Sequence, residues 1–318
     1  MRDHDPSAWY TFSIQEHSVE RSPGKHHQGS RFPPTMVILM KAPFRWFGIS
    51  LIYLLPVSSL SVYAQQAPAP KPDLAGIAHA AIRVADIDKS RDFYAKLGYQ
   101  EAFAWTQGTK TTQSFVKIND RQFLELYPRR DDTQPPAFLH VCFESNDIET
   151  LNHTYSERGL SPIAVRKAAA GNLLFTMVGP EKQNLEYTQY MSGSKHTLDQ
   201  GKHLGANRIS EELVAVGIEM QDAAAAREFY LRNLSFVPVP RFDKEQIWFE
   251  LPGLPSQQVQ IIQHAPGTAF LMYFSVSDLH QAAKQLKALH MAVEKHQNTL
   301  TIQDPDGNRI IFVKGKPA

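Results

Sequence analysis

Two stretches decide the fold: ADIDKSRDFY at 85–94 and QDAAAAREFY at 221–230. In the first, Asp86 is followed seven residues later by Phe93-Tyr94; in the second, Asp222 is followed seven later by Phe229-Tyr230, and Arg91 and Arg227 coincide. Each stretch follows a strand-like run, IAHAAIRV at 77–84 and LVAVGIEM at 213–220, so one strand-helix unit is written twice.

Two more units share another opening, AFLHVCF at 137–143 and AFLMYFSV at 269–276, and each reaches an Asp, Asp147 or Asp278, before a helical pattern. Working outward from the first unit, the spacing predicts a helix over 87–97 ending at Gly98, then strands near 99–106, 112–118 and 122–127. The second unit carries a helix around 147–158 closed by Gly159 and ends on NLEYTQY at 184–190. A strand, a helix of about three turns and three more strands thus recur at a period of about fifty to sixty residues, which is an internal duplication. The fold class is α+β, built from βαβββ modules. Modules 1 and 2 fill 74–191, a polar connector follows at 192–211, and modules 3 and 4 fill 212–318.

The 33 basic and 32 acidic residues balance, without the basic excess that a nucleic-acid partner demands. Cys142 is the single cysteine, so there is no disulfide framework and no thiolate zinc cluster; in its strand it reads as a small buried residue. Residues 1–39 hold His4, His17, His26 and His27 among Pro, Ser and Arg without apolar periodicity, and read as disordered or as an upstream extension. Lys41 and Arg45, the apolar run FGISLIYLLPV at 47–57, then Val62 and Ala64 have the form of a signal peptide over 40–64, cut after Ala64. Pro56 interrupts a run already shorter than the roughly 20 apolar residues of a stable span, so a retained N-terminal membrane anchor is only the alternative. After the Pro-rich spacer 65–73 the mature chain is expected to be exported, periplasmic or secreted, meeting a membrane only in transit, as a monomer or homodimer.

Alternate side chains of a strand share a face, which groups His79 with Ile77, Ala81 and Arg83, and Glu125 with Phe123 and Tyr127. His140 goes with Phe138 and Cys142, and Glu186 with Asn184 and Thr188. Each His stands in the first strand of its module and each Glu in the last. A carboxylate inside FLELY or NLEYTQY is costly to bury without a partner, and a divalent ion removes that cost. Imidazoles with carboxylates suit Zn, Ni, Fe, Mn or Co.

His79 in the first strand, the Asp-x-x-x-S/A-R-x-FY helix start, the LEL and LEY strands at 124–126 and 185–187, and DPDGNRIIF at 304–312 resemble the vicinal oxygen chelate superfamily over about 74–315. That superfamily includes glyoxalase I, extradiol dioxygenases, fosfomycin-resistance enzymes and bleomycin-binding proteins. The resemblance implies two cup-shaped, mixed-sheet domains and one divalent metal held by His79, Glu125, His140 and Glu186, in the order His, Glu, His, Glu. Arg83, Tyr127 and Asn184 are candidates to bind the substrate in the same cup. Pairing Asp86 with Asp222 sets Ala215 opposite His79, pairing the AFL triplets sets Met272 opposite His140, and pairing Pro180 with Pro305 sets Ile311 opposite Glu186. The counterpart of Glu125 falls near Gln260 or Ile261, so the second half reads as a copy without a metal site. His203, His264, His280, His290 and His296 read as surface histidines.

What the resemblance implies first is a glyoxalase I-like lyase or isomerase: a metal chelates two neighbouring oxygens of a small α-hydroxycarbonyl-type substrate, an enediolate is stabilised, and Glu186 or Glu125 moves the proton. Export argues against a glutathione adduct as the substrate. The second reading is an extradiol-type ring-cleaving dioxygenase using iron on two His and one carboxylate. Four ligands in the N-terminal half depart from that pattern, because the two-domain dioxygenases keep theirs in the C-terminal half. A non-catalytic small-molecule binder, as in the bleomycin-resistance relatives, is the third.

Overall fold

The computed structural model describes Pro72 and residues 74–240, 246–264 and 270–317. The leader, the spacer up to Lys71 and Ala269 of the second AFL triplet lie outside the described residues. No helix among the described residues is long and apolar enough to cross a membrane.

Strands β1 (Leu74–Val84), β2 (Gln100–Gln107), β3 (Lys110–Lys117), β4 (Phe123–Pro128), β5 (Ala137–Ser145), β6 (Arg166–Lys167), β7 (Leu173–Val178) and β8 (Asn184–Gln189) form one sheet, in the order β2-β3-β4-β1-β5-β8-β7-β6. Helix α1 (Ile87–Lys96) joins β1 to β2, and α2 (Ile148–Glu157) joins β5 to β6. After the short α3 (Lys195–Leu198) in the connector, β9 (Glu212–Met220), β10 (Val237–Val239), β11 (Gln246–Leu251), β12 (Leu254–Gln263), β13 (Leu271–Val276), β14 (Glu294–His296), β15 (Thr299–Gln303) and β16 (Arg309–Lys314) repeat that order in a second sheet, β10-β11-β12-β9-β13-β16-β15-β14. Helices α4 (Ala223–Arg232) and α5 (Leu279–Ala288) take the places of α1 and α2.

Both sheets are mixed by the same rule. β1 is parallel to β4 and antiparallel to β5, which is parallel to β8; β9, β12, β13 and β16 repeat this. The four helices of the modules each start on an aspartate, Asp86, Asp147, Asp222 and Asp278, whose side chain accepts from backbone N–H groups of the first turn. That satisfies donors which a helix start leaves open. Ile82, Leu126, Val141, Phe143 and Tyr187 turn one face of the first sheet into the main core, together with Tyr94 of α1 and Tyr155 of α2. The opposite face is left for polar groups.

The repeated motifs dock the two halves reciprocally. Tyr94 of the first FY donates to Asp304 Oδ2 at 3.0 Å, and Tyr230 of the second donates to Gln183 Oε1 at 2.9 Å. Asp306 accepts from the backbone N–H of Ala85 at 3.0 Å, and Glu181, at the matching place after Pro180, accepts from that of Gln221 at 2.8 Å. Gln122 accepts from Leu213 N, while Gln257 accepts from Ile77 N. Each half therefore seals the backbone of the other, and buried backbone groups need such partners. The connector is tied down by Lys117, a fully buried ammonium that donates to Asp199 Oδ2 and Lys202 O, both at 2.8 Å.

Candidate metal centre

Strand register brings the polar residues together. His79 on β1 lies beside Cys142 on β5, Cys142 lies beside Glu186 on β8, and His140 stands two residues before Cys142 on the same face. On the other flank of β1, Ala81 lies beside Glu125 on β4. Two register shifts shape this face: one between Ile77 and His79, and one where β5 steps from His140 to Phe138, leaving Leu139 as an extra residue. Simple alternation fails at both. Ile77 packs into the main core, and Phe138 packs against it, so neither shares the polar face as their spacing suggested.

His79 and His140 are each 5% exposed, and their Nε2 atoms approach to 3.1 Å. Glu186 Oε1 is 3.3 Å from His79 Nε2 and 3.9 Å from His140 Nε2. Donors about 2.0–2.2 Å from a common ion in tetrahedral or octahedral arrangement lie about 3 Å apart, so these three atoms have the spacing of a ligand set. Glu125 stands differently: its Oε1 is 3.5 Å from Nδ1, the far nitrogen of His79. Its Oε2 accepts from Tyr127 OH at 2.8 Å and from Gln113 Nε2 at 2.9 Å. Glu125 also belongs to a group with His79 and His140 whose donor atoms all lie within 4.8 Å of one another.

The charges fit a cation. Burial works against an ionised Glu186, but the imidazoles of His140 and His79 overcome it and hold the carboxyl down at about 2. Burial lowers His140, only partly offset by Glu186, so this imidazole is neutral and free to ligate. Burial also opposes protonation of His79, yet Glu125 and Glu186 on its two sides raise it above the ordinary value. Two carboxylates around two imidazoles leave an excess of negative charge in a buried site, and a divalent ion would neutralise it.

The substrate candidates separate. Tyr127 joins the site through Glu125. Arg83 turns to the 129–135 loop and donates to Pro135 O at 2.7 Å. Asn184 pairs with His140 in register, and its residue is exposed. Spacing in sequence overlooked Gln113, which lies on the strand next to Glu125, and His196 on α3. His196 is buried on the polar face against Phe103, Phe115, Phe123 and Tyr190, with Nδ1 2.8 Å from Asn172 Nδ2. Its only sequence signal was a position in a polar connector.

Residues 76–180, which hold three of the four His and Glu positions, match the family model described as the Glyoxalase/Bleomycin resistance protein/Dioxygenase superfamily. That stretch carries the family's sequence signature. Among solved structures the chain is similar to a variant of homoprotocatechuate 2,3-dioxygenase from Brevibacterium fuscum, with TM-score 0.60 and 18% identity over 78% of this chain and 73% of that one. The complex of that dioxygenase with 3,4-dihydroxyphenylacetate gives TM-score 0.59 and 18% identity, covering 78% of this chain and 83% of that one. A room-temperature structure of an extradiol ring-cleaving dioxygenase from the same bacterium gives 0.59 and 19%, covering 78% and 74%. At such identities the likeness is one of fold. No curated protein matches the sequence.

The same sheet design occurs twice here, and the second copy shows what such a face looks like without the His and Glu donors. Ala215 lies beside Tyr273 as His79 lies beside Cys142, and Tyr273 lies beside Ile311 as Cys142 lies beside Glu186. One step on, Gly217 lies beside both Leu271 and Gln260, as Ala81 lies beside both His140 and Glu125. The counterpart of His140 is thus Leu271, which corrects the Met272 given by the AFL triplets; Leu139 is the extra residue that displaced the count by one. Met272 faces the main core, whereas Leu271, Tyr273 and Ile311 pack with Trp248 on the other face. Gln260 keeps the place of Glu125 as a neutral amide, bonded to Tyr273 and Gln246.

Proposed function

We propose that this protein is a metal-dependent enzyme that binds a small substrate through two neighbouring oxygens and opens a catechol-type ring with dioxygen. One observation carries this reading: two imidazole Nε2 atoms and a single carboxylate oxygen converge, while the second carboxylate is turned to the back of His79. Two His with one carboxylate is the donor set of non-haem iron(II) oxygenases. A likeness to an extradiol ring-cleaving dioxygenase supports it at the level of fold. His79, His140 and Glu186 would hold the ion, which when bound supplies Lewis acidity and open positions for substrate oxygens. Glu125 would fix the His79 ring through Nδ1, the usual service of a carboxylate behind a metal-bound imidazole. Tyr127 and Gln113 both occupy Oε2 of Glu125, which leaves Oε1 to face His79 Nδ1.

The second reading, a glyoxalase I-like lyase or isomerase, keeps one specific support: the Glu125, His79 and His140 donors lie within 4.8 Å of one another, so Glu125 could complete a four-ligand set. Export after Ala64 is part of the proposal and rests on the sequence of 40–64 alone. The test is anaerobic loading with iron(II), then oxygen uptake with a panel of catechols beside isomerisation of α-hydroxycarbonyls by the nickel and zinc forms. Oxygen uptake coupled to catechol loss is expected. Isomerisation without oxygen uptake would replace the first reading by the second, and neither reaction would leave a binding protein.

A further inference from the structure

The floor of the polar face carries a donor that the proposed triad does not use. Cys142 is fully buried between His79 and Glu186: it is the register partner of the first across an antiparallel pair and of the second across a parallel pair. Side chains directly opposite in adjacent strands have Cβ atoms about 4.5–5.5 Å apart. The Cys142 sulfur, a His79 ring nitrogen and a Glu186 oxygen accordingly lie within 4.8 Å of one another. The thiol also makes a 3.8 Å contact to the carbonyl of Phe143. At the matching place in the second sheet stands Tyr273, whose ring fills the face and whose hydroxyl bonds Gln260.

We propose that His79, Cys142 and Glu186 form a second, thiophilic donor set, which takes zinc or cadmium in a pose distinct from the His79/His140/Glu186 set. The inference rests on the metal reading above for the two ligands it shares. Thiolate is a soft donor that selects zinc-like ions, whereas imidazole and carboxylate alone also accept manganese and iron. Binding exchanges the S–H bond for an S–metal bond and releases the proton to solvent, with no change of oxidation state. The two poses exclude each other, because both need His79 and Glu186. A thiophilic ion would therefore draw the shared ligands toward the floor and away from His140, so the protein would hold zinc or cadmium in a form unable to take the working ion.

The experiment uses the reduced, metal-stripped full chain and two ions as probes. Cadmium is titrated while the ultraviolet sulfur-to-cadmium charge-transfer band is recorded, and manganese binding is followed by electron paramagnetic resonance. The wild type is expected to develop the band, and Cys142→Ser to lose it with at least the roughly tenfold fall in cadmium affinity that loss of one supporting group produces, while manganese binding stays unchanged. His140→Ala is expected to do the reverse, keeping the band and losing manganese. Cys142→Ala, checked with Cys142→Ser for an unchanged circular dichroism spectrum, guards against a folding defect. Cadmium bound by the wild type without the band overturns this inference and leaves the triad standing. Loss of both ions together in His140→Ala also overturns it. If the wild type fails to bind manganese yet shows the band, the triad reading falls and the thiolate set remains.

Discussion

The two carboxylates of the polar face differ in what they touch, and that difference predicts how each responds to loss of charge. Glu186 faces both Nε2 atoms, whereas Glu125 faces Nδ1 of His79 and is clamped by Tyr127 and Gln113. Glu186→Gln is expected to abolish metal retention on dialysis, while Glu125→Gln weakens it by about ten- to hundredfold. Gln260, bonded to Gln246 in the second sheet, shows that a glutamine fits such a place. Equal losses in the two variants would make Glu125 a direct ligand. His196 gives a second test at this scale. Burial, then His79 and Lys117, hold its imidazole down at about 3, far below the ordinary 6.5. Between these values the unfolded chain binds a proton that the native chain refuses, so stability is present above about pH 6.5 and falls as pH drops, by about 1.4 kcal/mol per unit from this group. Urea unfolding from pH 7 to pH 4.5 should show a shallower decline for His196→Phe than for the wild type; identical slopes would mean that His196 is protonated in the native state. The strand positions of the four His and Glu were legible in sequence, and it was the family resemblance that joined them into one set. His196 was not legible, since nothing in a polar connector announces which residue folds back onto a sheet.

At the scale of elements, the helices were the most readable part, and the reason is local. Asp147 sits at the start of α2 and accepts from Thr150 N, a contact set within four residues of chain. Asp147→Ala should lower stability by about 1 kcal/mol, in the range for a lost cap, without touching metal content. Denaturant midpoints at pH 7 with an unchanged slope check it, and a loss of bound metal would show that α2 positions β5 more directly than the cap argument allows. Strand faces were read less well. Alternation assumes an unbroken pleat, and β1 and β5 both break it, at Ile77/His79 and at Leu139. Such bulges come from pairing with neighbours distant in sequence, so no pattern inside AFLH foretells that Leu139 is the extra residue.

For the whole molecule, two sheets of one design share a continuous core, yet among the described residues only the first assembles donors on its other face. The second face is closed by Tyr273 and Trp248, whose rings meet edge-on at 5.2 Å. With that face filled, the two lost histidines and Glu alone are not expected to restore a second site. Ala215→His, Leu271→His, Ile311→Glu and Tyr273→Cys together should be needed, the last to clear the floor as Cys142 does in the first sheet. That variant is expected to hold a second equivalent of manganese. The two candidate positions for the restored histidine separate cleanly by stability. Leu271 lies on the face where Gln260 Oε1 and the Leu271 Cβ both approach the place of Gly217, so an imidazole there has an amide on its own face, whereas Met272 is 1% exposed inside the main core. An imidazole at 272 would be buried without a hydrogen-bond partner and leave a cavity beside it, at a cost of about 2–5 kcal/mol. Leu271→His should unfold at a clearly higher denaturant concentration than Met272→His. If Met272→His proved the better tolerated, the register that pairs Leu271 with Gly217 would be wrong, and with it the placement of every counterpart in the second sheet.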